Sequence, residues 1–132
     1  MKKLTLVAFL FACISFSVQS QTPDCKKFKT GKFYYPALQG NKISLRKDSI
    51  QESYNDGKLE MVWKVKWLSE CQYEMTCIQV VPDPYPIKVG DRIVATIIKT
   101  EGDCFTTSLM FYYAEKPEGV MIPPAEMCIK KD

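Results

Sequence analysis

From Leu59 to Cys77 the chain alternates apolar and polar residues, and this most constrains its fold. Leu59, Met61, Trp63, Val65 and Trp67 fall on one face, while Glu60, Lys64 and Lys66 fall on the other, with Val62 the exception. Successive side chains of a strand point to opposite sides, so this period marks a strand with one dry face. Cys71 to Val80 repeats it, with Cys71, Tyr73, Met75 and Cys77 set against Gln72, Glu74 and Thr76. The break between the two is short, so they read as a hairpin. Residues that pair must share a face, and a two-residue loop would set Trp67 against Gln72. A three-residue loop, Leu68-Ser69-Glu70, pairs Trp67 with Cys71, Val65 with Tyr73 and Trp63 with Met75. The expectation is that loop, or a bulge beside the turn. The Trp63–Met75 pair would bring a thioether against an aromatic ring.

Other segments read as shorter strands. Lys32 to Tyr35 ends at Pro36, Lys42 to Lys47 carries Ile43 and Leu45, and Ser49 to Tyr54 runs into the tight-turn residues Asn55-Asp56-Gly57. Asp91 to Glu101 is apolar on both sides, with Ile93, Val94, Ile97 and Ile98, as in a strand covered on both faces. Glu101-Gly102-Asp103 turns it into Cys104 to Tyr113, and a last strand lies within Gly119 to Lys130, interrupted by Pro123-Pro124. The prolines at 82, 84 and 86 make a stiff connector that cannot pair centrally. No amphipathic helix stands out. The fold class is therefore all-β, a single antiparallel up-and-down meander of about eight strands. Closure into a small barrel, full or partial, would remove exposed edges.

Residues 1–20 read as a signal peptide: Lys2 and Lys3, then an apolar run from Leu4 to Val18, then the small-residue site before Gln21. Residues 21–132 then form a single β domain that is exported to the periplasm or beyond, with no membrane-spanning segment of its own. A second reading takes Leu10-Phe11-Ala12-Cys13 as a lipobox, with a lipid anchor on Cys13. The whole chain carries 18 basic and 15 acidic residues, and two of the lysines belong to the leader. That near balance argues against nucleic acid as a partner. The lysine run at 26, 27, 29 and 32 reads as a solvated entry segment.

Beyond the leader stand Cys25, Cys71, Cys77, Cys104 and Cys128. An exported domain of this size commonly staples itself with disulfides. A meander brings Cys71, Cys104 and Cys128 to one end, and Cys25 enters beside it. The expected pairs are Cys71–Cys104 and Cys25–Cys128, with Cys77 a buried free thiol.

The chain has no histidine, which excludes His-based triads and His-ligated metals. It has neither nucleotide-cradling glycine motif, and no cofactor is indicated. Glu52, Glu60 and Glu74 fall on the solvent side of their strands. Aromatic residues carry the functional promise. Trp63, Trp67, Tyr73, Phe105, Phe111 and Tyr113 share the inner face, where they either fill a core or line a pocket for an apolar ligand.

Gly31-Lys32-Phe33 resembles the G-x-W start of lipocalin-type barrels, with Phe in place of Trp. Lys27-Phe28-Lys29-Thr30-Gly31-Lys32-Phe33, Trp67-Leu68-Ser69-Glu70-Cys71-Gln72-Tyr73 and Val89-Gly90-Asp91 resemble a group of small uncharacterised exported bacterial proteins. Some of that group carry a DNA topoisomerase IV label. The label implies a large intracellular ATP-using enzyme, whose parts an exported chain of this length cannot supply. The resemblance to lipocalin-type barrels implies a fold and no particular ligand.

The functional expectation is a non-enzymatic exported β domain that binds a small apolar or amphipathic ligand or an envelope protein. The alternatives are a structural or interaction module with a packed core and, third, a hydrolase built on paired carboxylates.

Overall fold

The computed structural model describes residues 22–82 and 85–132. The signal peptide assigned to residues 1–20, and with it Cys13, lies outside the described residues. A 3-10 turn, Lys26–Phe28, leads into eight strands: β1 Gly31–Tyr34, β2 Lys42–Arg46, β3 Ile50–Asn55, β4 Lys58–Ser69, β5 Gln72–Val80, β6 Arg92–Glu101, β7 Cys104–Tyr113 and β8 Lys116–Ile129. Each pairs antiparallel with the next, and β8 returns to β1, so the meander closes into a barrel.

Alternation decides which side chains enter. Met61, Trp63 and Val65 of β4 are buried, and so are Tyr73, Met75 and Cys77 of β5, while Lys64 and Lys66 face out. Charged outer positions around an apolar interior are the inverse of a lipid-facing barrel. No helix among the described residues is long and apolar enough to cross a membrane. The β3–β4 turn is Asp56-Gly57, both at positive φ (49° and 77°), as a two-residue hairpin requires.

Several expectations need correction. The β4–β5 hairpin pairs Trp67 with Tyr73, Val65 with Met75 and Trp63 with Cys77. The turn has two residues, and parity is kept by the alternative expected with it, a bulge beside the turn, seen as the register shift between Trp67 and Ser69. The expected Trp63–Met75 pairing is therefore displaced by one pair. β6 is not covered on both sides, since Ile98 is 51% exposed beside a register shift between Ile97 and Lys99. Pro123 and Pro124 do not interrupt the last strand. They occupy a bulge opposite Ser108, between the Thr107–Ala125 and Leu109–Ile122 pairs, where their missing N–H groups cost no ladder bond.

Disulfide pairing differs as well. The bonds are Cys25–Cys71 and Cys104–Cys128, and Cys77 is a buried free thiol. All four bonded cysteines do lie at one end. Cys104 faces Cys128 directly across the β7–β8 ladder. The 3-10 turn then carries Cys25 to the β4–β5 turn. The expected Cys71–Cys104 pair would have had to span β5 to β7 across β6. Two disulfides in so small a domain fit an oxidising, non-cytoplasmic compartment.

That end is the base of the barrel. Phe28 plugs it, with ring centroids 4.7 Å from Phe105, and Phe105 stands edge-on to Phe33 at 5.4 Å. The opposite end, the mouth, carries the connections that follow β1, β3, β5 and β7, among them loop 35–41 and residues 85–91.

Candidate functional site

An eight-stranded barrel has room to be filled by side chains or to hold one small molecule. Here the base is filled and the middle is not. Above the aromatic plug lies a cavity of about 190 Å³, and about 150 Å³ suffices for benzene. Its lining is chemically mixed. Most of it is apolar: Trp63, Leu109, Ala125 and the methionines Met61, Met75 and Met127, with Ile87 and Ile93 toward the mouth. Thioether side chains are flexible and polarisable, so this wall can adapt to an occupant. Polar groups are set among these side chains: Tyr35, Gln51, Ser53, Tyr73 and Thr107; Gln51 pairs with Trp63, Ser53 with Met61 and Thr107 with Ala125.

Two of the polar groups, Gln51 and Tyr73, rest on Arg46, which is 1% exposed. Ser44 and Arg46 point inward from β2 because Phe33, which is buried, pairs with Ser44. Arg46 Nε donates to Gln51 Oε1 at 2.8 Å, Nη1 to the Phe28 carbonyl at 3.0 Å and Nη2 to Tyr73 Oη at 2.9 Å. Its guanidinium lies 4.2 Å from the Tyr73 ring centroid and 5.2 Å from that of Phe33. Aromatic faces and neutral acceptors thus hold the charge, and no carboxylate among the described residues lies within ion-pair distance of it. No buried side-chain polar atom among the described residues lacks a partner.

Tyr35 Oη and Ser44 Oγ are 2.6 Å apart. Burial pushes the Tyr35 hydroxyl above its usual pKa; Ser44 opposes this, Tyr73 adds to it, and Arg46 opposes it. Tyr35 therefore stays protonated at neutral pH. Burial likewise pushes the Cys77 thiol up, which makes it a poor nucleophile.

The six inner-face aromatics separate into three places. Trp63 and Tyr73 line the cavity. Phe105 belongs to the packed base, and Trp67 packs against the core at that end, 4.7 Å from Tyr73 and beneath the Lys29 ammonium at 5.3 Å. Phe111 and Tyr113 stack at 5.1 Å on the rim of the mouth. The carboxylates face outward in ion pairs: Glu52 with Lys47 at 3.2 Å, Glu60 with Lys42 at 3.6 Å and Glu74 with Arg92 at 3.1 Å. None of them lines the interior cavity. No cluster among the described residues could hold a metal ion.

Sequence reasoning passed over Arg46, Gln51 and Tyr35. In β2 it followed the apolar pair Ile43 and Leu45, which face outward. A usable signal was present: carrying the inward parity of Phe33 across the first hairpin puts Ser44 and Arg46 inside.

Fold and site together define a closed antiparallel meander barrel with a small internal cavity whose mostly apolar lining carries several polar groups. Family models, curated proteins and solved structures offer no match to this chain.

Proposed function

We propose that this is an exported, non-enzymatic binding domain that carries a small apolar or amphipathic molecule inside the barrel. One observation carries the reading: the cavity of about 190 Å³, placed between a sealed base and the mouth. A fully packed core would leave no such space. The two disulfides support an exported setting. The lining offers hydrogen-bonding groups and thioethers, with no nucleophile–base pair among the described residues, which suits holding a molecule more than transforming it.

An interaction module is the second reading, and it has its own observation. A shallow concavity of about 370 Å³ on the outer wall exposes Ile43, Leu45 and Tyr54 between Lys32 and Lys130. It suits contact with an envelope protein.

Native mass spectrometry of protein purified from its own host separates the two. Carriage gives a reproducible extra mass that leaves on denaturation; the module gives the bare chain. Trp63→Ala gives an independent check. If Trp63 is pocket wall, the variant stays folded and loses the ligand. If it is core, the variant loses about 3–5 kcal/mol of stability.

A further inference from the structure

We infer, building on the cavity as a ligand site, that its occupant is a small monocarboxylic acid with a benzene-sized apolar body, its acid group received by donors that Arg46 orients. The argument is an account of donors and lone pairs. Arg46 takes the lone pairs on its side of the floor: Gln51 Oε1 and Tyr73 Oη both accept from it. A hydroxyl that accepts from an arginine must point its own proton elsewhere. The Tyr73 hydroxyl makes no other hydrogen bond among the described residues, and Tyr73 lines the cavity. Because Arg46 Nε can only donate, the Gln51 amide is held with its oxygen toward the arginine and its nitrogen away. That nitrogen meets only Ser44 Oγ, at the long distance of 3.5 Å. The floor therefore offers hydrogens to the cavity. A ligand's ammonium head would meet donor against donor, whereas an acceptor is complementary.

Charge narrows the choice. Arg46 is buried without a carboxylate, and a buried charge is costly unless it is compensated. Neutral acceptors and ring faces offset part of that cost, and one unit of positive charge remains in a medium of low polarity. A single negative charge in the cavity cancels it. A phosphate dianion would exceed it and would sit against a mostly apolar wall. The volume sets the rest, since about 190 Å³ admits a ring or a short branched chain and not a long acyl tail.

The test uses the oxidised protein at neutral pH with three probes of one size: benzoate, toluene and benzylamine. Binding is read by calorimetry and by the fluorescence of the tryptophans. Benzoate should bind at least about tenfold more tightly than toluene, as a charge-assisted hydrogen bond supplies, and benzylamine should not bind. Tyr73→Phe keeps the ring and removes the donor. It should weaken benzoate about tenfold and leave toluene unchanged. Equal affinity for benzoate and toluene would overturn the acid assignment while leaving the cavity a ligand site. An unchanged benzoate affinity in Tyr73→Phe would overturn the placement of the acid group. Failure of all three probes to bind would overturn the cavity reading and this inference with it.

Discussion

At the base, Phe28, Phe33 and Phe105 meet ring to ring, both disulfides tie neighbouring elements, and Arg46 fastens the 3-10 turn to β2, β3 and β5. At the mouth, Phe111 and Tyr113 stack in a half-exposed position, none of the disulfides among the described residues lies there, and Val89, between β5 and β6, is 65% exposed. The base stores cohesion and the mouth leaves space. A small barrel that must keep an unfilled interior has to find its stability elsewhere, because a cavity forfeits the contacts its lining would otherwise make. Here the compensation sits within about one layer of side chains below the cavity.

The contrast can be broken most forcefully at the plug. Phe28→Ala should cost about 3–5 kcal/mol in urea unfolding, because a fully buried ring is removed from a site with no slack. Phe111→Ala at the rim should cost about 1–2 kcal/mol, since less area is lost to solvent there. Equal losses would mean that the two ends are not built differently. Next in size is the Cys25–Cys71 bond, which closes 46 residues. Replacing both cysteines by serine should remove about 3–4 kcal/mol by the loop-closure argument, measured the same way against the parent under oxidising conditions.

A smaller effect sharpens the comparison on the β7–β8 wall. Gly119 sits at φ +87°, and an added Cβ would come within 2.7 Å of the Tyr112 ring, which the Arg92 guanidinium covers at 4.5 Å. Gly119→Ala should cost about 1–3 kcal/mol through strain and a displaced Tyr112. Its near-ultraviolet circular dichroism should change while the base disulfides stay intact.

The smallest effect is electrostatic. Asp103, at the base turn, accepts from Lys131 at 3.0 Å and Lys27 at 3.2 Å, and these two lysines hold its carboxyl below the usual aspartate range. A carboxyl whose folded pKa is depressed stabilises the fold above its unfolded value near 3.9, and that contribution is lost as pH falls through the folded value. Asp103→Asn should therefore be slightly less stable than the parent at pH 7. The difference should vanish in acid and shrink with added salt.

Much of this architecture was written in the chain. The alternation from Leu59 to Cys77 determined two strands and their inner faces, because the period-two geometry of a strand is local. Asp56-Gly57 determined a tight turn for the same reason. The gathering of Cys25, Cys71, Cys104 and Cys128 at one end also followed from a meander, since alternate turns share an end. Which cysteines bond did not, because that depends on strand neighbours in space. Cys104 reaches Cys128 only through the β7–β8 register, and that register contains the proline bulge. The six inner aromatics were legible as inward-facing. Their division among plug, cavity wall and rim was not, because it depends on height along the barrel axis. Arg46 lay furthest from view. An arginine beside a lysine, as Arg46 is beside Lys47, reads as outward until closure of the barrel sets it among Phe33, Tyr73 and Phe105 and supplies the carbonyl of Phe28. Local periodicity settles which face a side chain takes. Only the closed tertiary structure settles what it meets there, because those partners come from strands distant in the chain.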